Sequence, residues 1–149
     1  MMKKNKGFTL IELLVVIAII GLLSTLAVVA LGNARQKARD AKRLSDLKQL
    51  QTALELYYTD QTDYPPAAAP VVLGAPAGSQ ACLNASGFTT AACASPYMGQ
   101  VPADPLAAQN YTYTKGVNTY TITATLETAM NGLTGEVTLS PSGIADLSP

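Results

Sequence analysis

The sequence predicts an α+β fold in which one long amino-terminal helix packs its second half on a small antiparallel β-sheet near the carboxyl end. Three observations predict it. Residues 8–31 are apolar apart from Thr9, Glu12, Ser24 and Thr25. Apolar residues then recur at three- and four-residue spacing as far as Tyr57, and beyond Tyr111 the spacing becomes two. A period near 3.6 marks a helix and a period of two marks a strand, so the change separates the two layers. With 149 residues, some of them in the apolar run, the remainder suffices for one globular domain with a modest core.

Residues 1–7 are a basic leader carrying Lys3, Lys4 and Lys6. Residues 8–31 follow; as a helix they reach about 36 Å, enough to cross a hydrocarbon core of roughly 30 Å. The run is longer than the apolar core of a secretory signal, roughly 7 to 15 residues, although Ala27 and Ala30 are small enough to keep a cleaved signal as an alternative. Lysines on the amino-terminal side and a second basic cluster (Arg35, Lys37, Arg39, Lys42, Arg43, Lys48) on the other leave charge alone undecided about orientation.

The segment 32–60 reads as an amphipathic helix of the head domain. Ala38, Ala41, Leu44, Leu47, Leu50, Leu54 and Tyr57 fall on one face. No proline interrupts Phe8 to Asp63, so the two segments form a single helix with Gly21 and Gly32 as its weak points. It ends before Tyr64-Pro65-Pro66, because the residue ahead of a proline is pushed out of helical conformation.

The segment 61–110 holds seven of the chain's nine prolines and reads as a long irregular connection. Its two cysteines, Cys82 and Cys93, are the only ones in the chain. They read as one disulfide in an oxidising compartment, with two reduced thiols as the alternative. Closing that loop stabilises by about 3 kcal/mol or somewhat less. The pair places the head outside the cell's reducing interior and the amino terminus in the cytoplasm.

In residues 111–149, Tyr111, Tyr113, Tyr120, Ile122, Ala124, Leu126, Val137 and Leu139 share one strand face, and threonines from Thr112 to Thr125 take the other. Lys115-Gly116-Val117-Asn118 suits a hairpin turn, and Asn131-Gly132 lies in the connection to the next strand. The apolar face of this sheet and the apolar stripe of the helix cover each other most simply.

Ten basic and ten acidic residues balance overall, but from Gln49 onward Lys115 stands alone against Glu55, Asp60, Asp63, Asp104, Glu127, Glu136 and Asp146. The basic cluster has three readings: a solvated helix face, contact with anionic lipid or DNA, or contact with acidic heads of neighbouring copies. The first and third are preferred, with Arg39 and Arg43 facing acids of other copies. DNA binding rests on composition alone and is not expected. The chain has no histidine, no Gly-rich phosphate loop and no close carboxylate pair, so no enzymatic activity and no cofactor are expected. Asp60, Asp63 and Asp104 could meet around a cation, but their spacing matches no signature.

A carboxylate inside a membrane helix is costly and normally faces a partner. If the chain is cut after Gly7, Phe8 carries a new α-amino group, and Glu12 lies on the fifth residue of the new chain. The same helix cannot fold back to satisfy that charge. A neighbouring copy displaced along the axis could present its Phe8 amine to Glu12 and neutralise both.

The string from Lys6 through Gly7-Phe8-Thr9-Leu10-Ile11-Glu12 to Gly21 closely resembles the amino-terminal signature of type IV pilins and type II secretion pseudopilins. A weaker likeness runs through Ala53 to Tyr58, Tyr64-Pro65, and Val101-Pro102-Ala103-Asp104-Pro105 to Tyr111. The resemblance implies a pilin fold and a structural subunit of a pilus-like filament, or alternatively a pseudopilin of type II secretion or DNA uptake. It also implies a prepilin peptidase that cuts between Gly7 and Phe8 and methylates Phe8, assembly through Phe8 and Glu12, and partners in itself, other pilin-like subunits, an inner-membrane assembly platform and, before assembly, membrane lipid. The subunit would be a single-pass protein of the cytoplasmic membrane with its head outside, and later part of a periplasmic or extracellular filament. A reading from another class is an unprocessed monomeric membrane-tethered binding domain. Two departures stand out. Many relatives have a proline where this chain has Val29, and many major pseudopilins carry a calcium site near the carboxyl end, whereas Glu127 to Asp146 is acid-poor. No metal is expected.

Overall fold

The computed structural model describes residues 7–74, 81–90 and 93–147. Most of the expected leader, residues 1–6, lies outside the described residues. The chain divides into two compact units, Met1–Gln36 and Lys37–Pro149.

Helix α1 spans Leu10–Gln61 without a break at Gly21 or Gly32. It ends where Thr62 takes a positive φ of 61° and its N–H is donated to the Tyr58 carbonyl at 2.8 Å, a left-handed cap ahead of Tyr64-Pro65. In the first unit, every large apolar side chain from Phe8 to Leu31 is exposed. The helix contains a stretch long and apolar enough to cross a membrane.

The second unit holds seven strands: β1 Val71–Leu73, β2 Cys82–Asn84, β3 Gly87–Thr89, β4 Tyr111–Gly116, β5 Thr119–Thr125, β6 Glu136–Ser140 and β7 Gly143–Asp146. Five of them form an antiparallel sheet in the order β1-β4-β5-β6-β7, and β2 pairs with β3 as a separate hairpin. The inward positions Tyr111, Tyr113, Tyr120, Ile122, Ala124, Val137 and Leu139 form one buried cluster with Leu47, Leu50, Ala53, Leu54 and Tyr57 of α1. The period-two and period-3.6 faces therefore bury each other, which is the packing the sequence leads one to expect.

The connection 61–110 is less irregular than its prolines suggest. Its residues 71–73 supply β1, with Val71 opposite Tyr113 and Leu73 opposite Tyr111, so an edge of the main sheet comes from the loop. The strand is too short to show periodicity, and only its partner defines it. At Gly74, φ is 61° and a Cβ would lie 2.2 Å from the Pro102 carbonyl oxygen, so only glycine lets β1 pass beside residues 101–103. Cys82 and Cys93 form a disulfide with Cα atoms 6.3 Å apart, tying the start of β2 to the following loop.

The β4–β5 turn is a two-residue loop, Val117-Asn118, closed by the Gly116–Thr119 pair, with Asn118 at φ 52°. Asn131 and Gly132, at φ 55° and 81°, turn the chain between the bridged residues Met130 and Leu133.

The helix stripe starts later than its alanines imply. Ala38 and Ala41 are exposed, and the inward positions, two residues after each, are Asp40 and Arg43, both fully buried. Counting apolar residues alone missed them, because the inward face begins with charges.

Candidate functional site

Two constellations stand out, one in each unit. In the first, Gly7, Phe8 and Thr9 precede the helix, and Phe8 is 81% exposed. Thr9 donates its backbone N–H to Glu12 Oε2 at 2.8 Å and its hydroxyl to the same oxygen at 2.6 Å. In return the Glu12 N–H is donated to Thr9 Oγ1 at 3.3 Å. This reciprocal pair is a capping box, which satisfies amide groups that the first helical turn otherwise leaves open.

This local contact is left out of the sequence reading; it orients the carboxylate but brings it no positive charge. Thr9 holds Glu12 within one turn. The signal was in the sequence, since a threonine three residues before a glutamate ahead of an apolar run is the capping-box pattern. Both bonds end on Oε2, which leaves Oε1 open to another donor. Glu12, Ile11, Val15 and Val16 of the helix and Phe8 just before it line a shallow groove of about 360 Å³. An apolar face with one oriented carboxylate suits another helix bringing a single cation.

In the second unit, α1 carries a buried ionic cluster. Arg43 Nε is donated to Asp104 Oδ2 at 2.8 Å and Nη2 to Oδ1 at 2.9 Å, a bidentate pair. Its Nη1 bonds Asp40 Oδ1 at 2.6 Å and Glu127 Oε1 at 2.8 Å. Arg39 grips Glu127 with Nε at 2.7 Å and Nη2 at 2.5 Å. Asp40 also accepts the backbone N–H groups of Glu127 at 3.0 Å and Thr128 at 2.8 Å, and the Thr128 hydroxyl at 2.7 Å. One helix turn thereby fastens the loop at Asp104 and the loop after β5.

Ionisation follows these contacts. Hydrogen bonds from Arg39 and then Arg43 bring the Glu127 carboxyl down to about 2. Burial pushes Asp40 upward, but bonds from the Glu127 N–H, Thr128 and Arg43 leave it below the usual carboxylate range. Asp46, which accepts the Tyr111 hydroxyl at 3.1 Å, is raised by burial.

The cluster corrects the expectation that Arg39 and Arg43 face acidic residues of other copies. Their partners are Asp40, Asp104 and Glu127 of the same unit, and Arg43 is fully buried. Nor does the structure gather Asp60, Asp63 and Asp104: Asp60 accepts the Tyr97 hydroxyl at 3.0 Å, Asp63 pairs with Lys115 at 2.9 Å, and Asp104 pairs with Arg43.

Comparison with known proteins agrees with both halves. A profile described as the prokaryotic N-terminal methylation motif matches residues 2–28, and one described as type II secretion system (T2SS), protein G, matches residues 30–136. The type II secretion system core protein G of Escherichia coli is 45% identical over 62 residues, covering 42% of this chain and 43% of that protein. Its Klebsiella pneumoniae counterpart is 44% identical over 64 residues, 43% of this chain and 46% of the relative. The type IV major pilin protein PilA of Myxococcus xanthus is 34% identical over 61 residues, 41% of this chain and 28% of that one. The chain spans less than half the length of these curated relatives. No solved structure matches.

Proposed function

The chain belongs to the type II secretion system protein G family, preceded by an amino-terminal methylation motif, and from that premise we propose that it is a structural subunit of a pilus-like filament. A prepilin peptidase cuts between Gly7 and Phe8 and methylates Phe8. The helix first anchors the subunit as a single-pass protein in the cytoplasmic membrane, with its head outside, and then enters a filament in the periplasm or beyond. The assembly platform and other pilin-like subunits are its partners. The family match favours the secretion pseudopilus among filaments of this kind.

The observation that carries this reading is an apolar helix, exposed over its whole first part, whose one carboxylate is held by Thr9 with an oxygen to spare. The apolar surface needs lipid or other helices, and the spare oxygen needs a cation. The Phe8 amine of a neighbouring copy supplies that cation once the leader is removed.

Mass spectrometry of the amino-terminal peptide from membranes containing a prepilin peptidase tests the processing. Methylated Phe8 is the expected first residue, and a chain starting at Met1 or Met2 refutes the reading in favour of a tether. Glu12→Ala should be processed normally yet yield no sheared filament, whereas normal filaments from that variant exclude the pairing.

A further inference from the structure

The second unit carries a groove of about 430 Å³ lined by Leu44, Ser45, Lys48, Asn131, Leu133 and Ile144. Its apolar floor, Leu44, Leu133 and Ile144, is half-buried against the core, and Ile144 sits on β7, one of the two edge strands of the sheet. Lys48 stands at its rim, bonded to Gln51 Oε1 at 3.2 Å and making no ion pair among the described residues. A second feature lies farther along α1. Leu56 is 53% exposed, and one turn later Asp60 is exposed with the Tyr97 hydroxyl as a neutral partner.

The two features match in kind and spacing. Leu44 and Lys48 are four residues apart, as are Leu56 and Asp60, so each places an apolar side chain and a charge one turn apart on one helix face. The charges are opposite. We propose that the groove receives the Leu56–Asp60 turn of a second copy of this chain, with Leu56 entering between Leu44, Leu133 and Ile144 and Asp60 reaching Lys48. The contact rests on the filament reading and gives it a head-to-head interface.

The register follows from the helix. Leu44 to Leu56 and Lys48 to Asp60 are both twelve residues, so a parallel copy displaced by about 18 Å meets both contacts together. Twelve residues also rotate the helix by about 120° beyond whole turns, so donor and receiver point to different sides of one head. Such a heterologous interface does not close on itself as a dimer but passes from copy to copy. The charge pair fixes direction and register, and the leucine contributes the burial.

The test uses the full chain in membranes competent for processing, with sheared polymer as the readout. Lys48→Glu and Asp60→Lys should each lower polymer yield by about fivefold or more, as a lost and then repelling ion pair does. The double variant Lys48→Glu/Asp60→Lys should restore it, a rescue that a structural role within one head would not give. Leu56→Cys combined with Leu133→Cys should produce a ladder of disulfide-linked multimers on mild oxidation. Polymer that forms while the charge swap fails to rescue overturns the contact alone. Cross-linking of Leu133→Cys to a different protein overturns the choice of a second copy. Absence of polymer from the unmodified chain overturns the filament reading together with the contact.

Discussion

Between Phe8 and Leu31 the helix exposes every large apolar side chain, whereas from Asp40 onward the same helix buries Asp40 and Arg43 completely. Exposed hydrocarbon and buried charge are each unfavourable in water unless something compensates. In the Lys37–Pro149 unit the compensation is internal: Arg43 meets Asp40, Asp104 and Glu127, and leucines of α1 meet the sheet. In the Met1–Gln36 unit the Glu12 carboxylate is met by Thr9. The unit's apolar surface has no internal partner among the described residues. The contrast separates a head whose buried groups are met internally from a segment whose apolar surface, under the proposed function, lipid or neighbouring copies would cover.

The sharpest way to break the contrast is to remove the internal compensation. Arg43→Met would leave the Asp40, Asp104 and Glu127 carboxylates converging without their shared cation. Losing one partner of a buried charge cluster costs about 3–5 kcal/mol. Urea unfolding of the full chain in detergent, followed by tyrosine fluorescence, should show a midpoint lowered accordingly, while helix content of the apolar segment persists. An unchanged midpoint would mean that the head does not depend on its buried ions.

That cluster also shows where the sequence was legible and where it was not. The sheet face from Tyr111 to Leu139 and the helix stripe from Leu47 to Tyr57 follow from periodicity, because burial there selects apolar residues. The Val117-Asn118 turn follows from its turn residues. Arg43 escaped because its burial depends on Asp104 and Glu127, which are distant in sequence. β1 escaped because three residues carry no period and its identity comes from pairing with β4. At the amino terminus the methylation motif matched over residues 2–28 was legible by resemblance. The part played by Thr9 was legible by spacing, but it was hidden behind the question of where a second charge would come from.

A smaller effect concerns the loop clipped by Cys82 and Cys93. Replacing both with serine releases a short loop and should lower stability by about 2–3 kcal/mol. β2 and β3 belong to a separate hairpin, so the five-stranded sheet should survive the change. Amide hydrogen exchange checks this: faster exchange in residues 82–89 with β4 to β6 slow is the expected pattern. Equal acceleration everywhere would make the disulfide a clamp on the whole head.

Acid tests the ionic cluster without mutation. Glu127 titrates near 2 in the folded chain against an ordinary value of 4.5. The stability it adds is therefore fully present above about pH 4.5 and is lost as pH falls through about 2. Asp40, also lowered, acts in the same sense. Asp46 acts oppositely: its carboxyl is raised by burial, so protonation at low pH removes a penalty. The thermal midpoint of the head should hold from pH 7 to about 5 and then decline. Glu127→Gln should flatten part of that decline while lowering the neutral plateau, and a decline of the same size in that variant would assign the acid sensitivity elsewhere.

The smallest effect decides what Glu12 is for. Capping the helix and pairing with another copy are different roles for the same carboxylate, and the geometry lets them coexist, because both Thr9 bonds end on Oε2. Thr9→Val keeps the backbone N–H bond and removes the hydroxyl, which should cost about 1 kcal/mol at the first turn. Amide exchange over residues 10–13 in micelles should then rise by roughly fivefold, with the head unaffected. Filaments should still form, since Glu12 keeps an oxygen for the incoming amine. If Thr9→Val instead abolished filaments as completely as Glu12→Ala, the carboxylate would serve assembly by ordering its own helix start, and the charge pair between copies would not be needed.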